Sequence, residues 1–372
     1  MAEHPISAAT RRAAAYSPDP QWFCDFREEE ISGLVPEPGV HRRDPSSILK
    51  IDGVYHVWYT KSVGDAVGFG TGDPMAKVFP WDWSEVWHAT SSDGQHWTEA
   101  DRAVGLGDTG AYDDRSVFTP EVLAHGGRYY LVYQVLQSPY RLRSFESIAM
   151  ASADDPSGPW TKTPEPLLTP AANGEWAGDE DDRLAVRSQG DFDSHKVHDP
   201  LLLPLNGRFY LYYKGEQMGE RFTSGGRSTK WGVATADRID GPYTRSPLNP
   251  ITNSGHETCL WLHADGVAAM LTTDGPERNT LQYAADGENF EIQAYIPNPP
   301  VAAGPLRTGE PTTVPLDGLR WGLCHDVTGE WGYLKMFHVD ESQKLKYELG
   351  VSPEKGDDAF RARLAAHEAE RV

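Results

Sequence analysis

Cysteine is scarce in this chain. There are three in 372 residues, Cys24, Cys259 and Cys324, too few and too scattered for a disulfide framework, and none stands at metal-site spacing from another. Long apolar runs are missing too. Nowhere do about 18 apolar residues follow one another, which excludes a membrane-spanning helix, and the opening "MAEHPISAATRRAAAYSPDP" has no apolar core of signal-peptide length. The expectation is a cytoplasmic protein with reduced, buried thiols. Positive charge is also short. With 34 Lys and Arg against 55 Asp and Glu, the formal charge is -21, a field that repels nucleic acid and anionic membrane surfaces and favours a neutral or cationic partner.

What the chain has in quantity is aromatic and turn-forming. It carries 12 Trp, 16 Tyr, 36 Gly and 28 Pro, the composition of a compact, turn-rich protein rather than a disordered one. Most of the aromatics are expected in the core, but Trp and Tyr also offer flat apolar faces with a polar tip, suited to stacking on sugar rings.

One phrase recurs, a polar turn, a Gly and then an alternating aromatic strand: "DGVYHVWYTKS" from Asp52, "GGRYYLVYQV" from Gly126, "NGRFYLYYKGE" from Asn206 and, degenerately, "HADGVAAMLTTDG" from His263. Each Gly is expected where a tight hairpin turn needs a positive φ, and the period-2 pattern after it marks a half-buried strand. A second phrase follows, a strand, a turn and an outer strand, as in "WHATSSDGQHWTEA" from Trp87 and "WGVATADRIDGPYTRSPLNPI" from Trp231, and "RWGLCHDVTGEWGYLKMFHV" from Arg320 reads as a fifth, shortened unit. Units of four short strands recurring at roughly 50 to 75 residues predict an all-β, five-bladed β-propeller. A sandwich or jelly roll would not repeat one phrase in order. Helix is expected at the ends alone, in "SAATRRAAAY" from Ser7 and "DDAFRARLAAHEAERV" from Asp357, both Ala-rich with i, i+4 charge pairs. The resulting division is a helical arm over 1–35, a propeller over 36–352 and a terminal helix over 353–372.

Polar residues just before each blade's first strand should converge on the central channel. Three places qualify: "RRDPSSIL" at Asp44, "VHDPLLL" at Asp199 and "SGHETCLWL" at Glu257. Proline disfavours the helical region for the residue before it, so both aspartates are expected in extended backbone, presenting their carboxylates. An Asp-Pro pair alone is commonly a turn dipeptide. Two repeat-equivalent pairs and a Glu at the third place suit glycoside hydrolysis, in which one carboxylate activates water and another protonates the leaving oxygen.

These stretches resemble glycoside hydrolase family 117, the α-1,3-L-neoagarooligosaccharide (neoagarobiose) hydrolases, on "HRRDPSSILKIDGVYHVWYTK", "VHDP" and "SGHETCLWL" in that order. The likeness spans nearly the whole chain, and "SAATRRA" from Ser7 resembles the S-x-A-x-x-R-A arm by which that family swaps helices in a dimer. The resemblance implies Asp44 as the general base of an inverting attack, and Asp199 as the residue that orients the site and shifts its neighbour's pKa. For the acid it points to His256, with Glu257 gripping the sugar, whereas the pattern of the related family 43 gives that role to Glu257. A histidine holds a proton near neutral pH without the large upward shift a carboxylate needs. The resemblance further implies that Thr119 and Gln134, with Glu121, hold the galactose next to the cleaved bond. Arg43 and His198, flanking the aspartates, are candidates for lining the pocket or for fixing the carboxylates by hydrogen bonds. Trp81, Trp83 and Trp87 of "FPWDWSEVW" are candidates for stacking on a sugar, Trp83 being counted among the contacts.

No cofactor is required on this reading. Several histidines near the channel leave room for a divalent cation, although no two share a metal-site motif, and "GDEDDRLAVRSQGDFDSHK" over 178–196 lacks the alternate ligands of a calcium loop. The expected partner is a short oligosaccharide, and a homodimer is expected through swapped arms. Competing expectations are an arabinofuranosidase, xylosidase or galactosidase on the same scaffold, and a sugar-binding propeller without catalysis.

Overall fold

The structure is a computed structural model that describes residues 19–221, 229–327 and 332–341, together with Ser7 and Ala9. The helices expected from Ser7 and from Asp357 lie outside the described residues, apart from Ser7 and Ala9 themselves. What is described is nearly all β, and no helix in it is long and apolar enough to cross a membrane.

Apart from a two-stranded pair, Glu175–Trp176 with Val186–Ser188, the described strands form five antiparallel meanders in chain order. The first runs through Val40–Arg43, Leu49–Ile51, Val54–Val63, Glu85–Ser91 and Trp97–Val104. The second is Ser116–His125, Arg128–Leu136, Glu146–Ala153 and Thr161–Lys162, and the third is Lys196–Leu205, Arg208–Glu216, Lys230–Ala236 and Thr244–Arg245. One parallel pairing, Lys196 with Glu146, joins these two. The fourth is Glu257–His263, Gly266–Thr272, Thr280–Ala284 and Glu291–Tyr295. The fifth combines Gly304–Pro305, Trp321–His325 and Leu334–Asp340 with Asp25–Glu30, an early strand paired antiparallel with a late one. Residues 25–30 fall in the stretch assigned to the arm, and they are this strand.

The apolar residues of each meander serve two interfaces. Trp58 and Val86 of the first pack with Val122, Leu131 and Tyr133 of the second. Ile148 and Met150 of the second meet Leu202, Leu211 and Tyr213 of the third, whose Leu203, Tyr212 and Trp231 meet Leu260 and Leu271 of the fourth. Cys259 and Met270 of the fourth pack with Leu316, Leu319 and Trp22, beside the fifth. Leu323, Leu334 and Met336 of the fifth then pack on Ile48, Val57 and Tyr59 of the first. Period-2 alternation buries both faces of each sheet because each has a neighbour on either side.

The hairpin glycines hold their expected conformation in three of four repeats. Asp52 and Gly53 have φ of 49° and 86°, Gly126 and Gly127 59° and 76°, and Asn206 and Gly207 50° and 73°, the two-residue loops whose twist matches that of the strands. The fourth differs. There Ala264 takes the positive φ of 49°, and Gly266 begins the strand, where an added Cβ would lie 2.2 Å from the Ala284 carbonyl oxygen. Close backbone approach, not turn chemistry, requires that glycine.

Candidate active site

At matching places in the first three meanders a polar residue precedes proline: Asp44, Thr119 and Asp199. All three have left-handed backbone, with φ of 49°, 48° and 50°. The extended conformation expected of the two aspartates is therefore corrected. In the second and third meanders the pairing register breaks at this point, between Phe118 and Glu121 and between His198 and Leu201, and a residue released from the ladder can turn into conformations a paired one cannot. Each left-handed residue costs roughly 1–2 kcal/mol. Aspartate tolerates the region well, while a β-branched threonine is an outlier there. Thr119 is held by its amide, which donates to Thr60 Oγ1 at 2.8 Å. Glu257, by contrast, opens a regularly paired strand opposite Thr272. It shares the place of the aspartates but not their backbone.

These residues line one cavity of about 570 Å³, which Arg43, Gln134, His198, His256 and Asp274 also border. The polar residue after a buried tyrosine in each second strand reaches the same region. Thr60 follows Tyr59 and pairs with Arg43, Gln134 follows Tyr133 and pairs with Phe118, and Lys214 follows Tyr213 and pairs with His198. Lys214 forms an ion pair with Asp199. At Asp44, Oδ1 lies 2.9 Å from Nε2 of the fully buried His325 and 3.8 Å from Arg43 Nη2. His256 Nδ1 is 2.8 Å from Asp274 Oδ2, and its Nε2 is 3.8 Å from Glu257 Oε1.

The electrostatics split the carboxylates into two states. Burial pushes Asp44 toward the neutral acid, but the Arg43 charge and the His325 contact outweigh it, and Asp44 is held well below the usual carboxylate range. Burial pushes Glu257 up to about 7; the Asp199 and Asp44 charges add to the rise, and Lys214 and Arg43 oppose it. Near neutral pH the cavity thus holds an ionised carboxylate and a carboxyl that can carry a proton, the pair that acid–base cleavage of an acetal needs.

Other sequence candidates divide. Gln134 donates to Glu146, which also takes Lys196 Nζ at 2.7 Å. Glu216, near them, takes Arg183 Nη1 at 3.2 Å. Glu121 does not line the cavity: it accepts from the Ser47 amide at 2.9 Å and from Arg307 Nη2 at 2.6 Å, a buried structural tie. Trp83 is likewise turned to structural use. Its indole donates to the Met75 carbonyl at 3.0 Å and the Arg115 guanidinium lies 4.1 Å above its ring, so the candidate contact passes to Trp81, which borders the cavity with Phe79 stacked on it and Arg43 over it. Trp87 lies beneath Lys61. Arg42 binds Glu37 and Glu99 outside the cavity. Within 178–196, Asp181 accepts the amides of Leu142 and Arg143, both at 3.0 Å, the work of a loop cap. Among the described residues no group of three or more His, Cys, Asp or Glu is arranged to hold a metal ion.

Meanders of this kind around a carboxylate-lined cavity define a glycoside hydrolase of propeller type. The chain is 31% identical to a family 117 glycoside hydrolase produced by the marine bacterium Zobellia galactanivorans, over 87% of this chain and 92% of that one, with a TM-score of 0.70. It belongs to glycoside hydrolase family 117. More distant structures share the fold alone. A β-fructofuranosidase of Bombyx mori is 13% identical, covering 89% of this chain and 64% of that one at a TM-score of 0.50, and a fructan 1-exohydrolase of Cichorium intybus is 15% identical, over 88% and 60% at 0.51. No family sequence profile and no curated protein matches the chain.

Proposed function

We propose that the protein is an exo-acting, inverting hydrolase that cleaves the α-1,3 bond of neoagarobiose and neoagarooligosaccharides and releases 3,6-anhydro-L-galactose from the non-reducing end. The observation that carries the chemistry is the pairing, on one cavity, of an Asp44 held ionised with a Glu257 raised to about 7. Asp44 takes a proton from the attacking water. Glu257 gives one to the leaving oxygen, and Asp199, fixed by Lys214, adds to the field that keeps Glu257 protonated. The volume of about 570 Å³ suits a short oligosaccharide, and the "SGHETCLWL" and "HRRDPSSIL" stretches support the narrow substrate.

A second reading of the acid rests on the His256–Asp274 contact of 2.8 Å, which orients the imidazole as an alternative proton donor and leaves Glu257 to grip the sugar. In the same proposal the five meanders are the blades of one ring, two copies pair through swapped arms, and the enzyme works in the cytoplasm on imported sugars. Incubating the protein with neoagarobiose beside aryl arabinosides, xylosides and galactosides tests the substrate. Anhydrogalactose should appear from neoagarobiose; hydrolysis of an aryl glycoside alone moves the activity to a family 43-like enzyme, and binding without turnover makes it a sugar-binding propeller.

A further inference from the structure

His325 has no part in the reaction as proposed, yet it is fully buried against the base. It ends the Trp321–His325 strand of the fifth meander, which is flanked by Gly304–Pro305 and Leu334–Asp340. Its Nε2 lies 2.9 Å from Oδ1 of the left-handed Asp44, where a protonated Nε2 donates to the carboxylate; the same nitrogen stands beside the Asp44 amide and, carrying that proton, does not also accept from it. Arg43 stands 3.8 Å from that carboxylate, beyond hydrogen-bond reach and over Trp81, while the Thr60 hydroxyl from the next strand hydrogen-bonds it beside His325. Asp199 with its Lys214, and Glu257, face the pair from the third and fourth meanders.

The contrast with Asp199 gives this contact its meaning. A lysine ion pair fixes a carboxylate by charge. A neutral imidazole N–H fixes it by direction, with no charge of its own. Burial and the Arg43 charge hold His325 toward its neutral form against the pull of Asp44.

We infer that His325 is a positioning residue for the base, its Nε2–H holding the Asp44 carboxylate in the one orientation that meets the attacking water. This rests on Asp44 being the base, and the experiment separates the two. His325→Gln, whose amide nitrogen reaches near the place of Nε2, should retain most of the turnover of neoagarobiose. His325→Leu should lose roughly tenfold or more in kcat with KM little changed, and the acid limb of its pH profile should rise by about one unit. Should His325→Leu not fold, His325→Asn, whose shorter amide falls away from the carboxylate, is expected to do the same. Equal losses in the Gln and Leu proteins with an unmoved acid limb, or a Leu protein indistinguishable from the parent, overturn the role. An activity-free readout runs beside it. The ¹³C resonance of the Asp44 carboxyl, assigned with Asp44→Asn, should titrate about one unit higher in His325→Leu and stay in place in His325→Gln; no movement in the Leu protein counts against positioning. An Asp44→Asn protein that keeps the parent rate sinks the base itself, whereas an inactive Asp44→Asn beside an indifferent His325→Leu sinks only the positioning role.

Discussion

Asp44 and Asp199 stand on one backbone device in the first and third meanders, each before a proline and each near φ 50°, yet their surroundings diverge. Asp199 meets a lysine from its own sheet. Asp44 meets a histidine from the fifth meander and an arginine 3.8 Å from its Oδ1. The repeat therefore fixes where a carboxylate stands, and the neighbours delivered by other strands fix what it does there. Thr119, on the same device in the second meander, carries no charge and serves the wall of the cavity.

Breaking the comparison at its most sensitive point should have the largest effect. Asp44→Asn is expected to lower turnover of neoagarobiose by roughly 10³-fold or more and, because the folded protein favours the charged carboxylate, to lower the thermal midpoint as well, while Asp199→Asn strands Lys214 without its charge partner and should cost about 3 kcal/mol of stability with a smaller loss in rate. Steady-state kinetics and thermal melts on the two proteins check this; equal rate losses would erase the distinction. Glu257→Gln sharpens the acid side. The unfolded chain loses this proton in the ordinary carboxylate range and the folded protein only near 7, so the stability Glu257 contributes is present at low pH and lost as pH rises through 7. The Gln protein should thus be more stable than the parent by about 1–3 kcal/mol at pH 8 and equal to it at pH 4 by denaturant titration. At the rim, Trp81→Ala should raise KM by roughly tenfold, and Trp83→Ala should leave KM alone while lowering the thermal midpoint. Smallest of all, Thr119→Gly should relieve about 1 kcal/mol of backbone strain, seen as a slightly raised midpoint.

Much of the fold was legible because it is written locally. Asp52–Gly53 and Asn206–Gly207 set hairpins that any reader of turn chemistry would place, and the aromatic alternation after them marks the inner strands. The carboxylates were legible by their place in the repeat. The expected backbone was not, because the preference set by a following proline yielded to a register break that no local pattern announces. Thr119 belonged with the two aspartates, and the Thr-Pro pair in the same phrase was the available signal. Glu121 and Trp83 were drawn away by Arg307 and Arg115, residues from elsewhere in the chain. His325 lies 281 positions from Asp44, a contact that only the packing of the fifth meander on the first creates.

The central claim, that Asp44 and Glu257 divide base and acid on one cavity, is tested most directly by the pH profile of kcat/KM for neoagarobiose in the parent and in Glu257→Gln. The parent should lose activity as pH rises through about 7, and the Gln protein's residual activity should no longer fall there. A basic limb that survives unchanged in Glu257→Gln and vanishes in His256→Ala would contradict it and give the proton to His256.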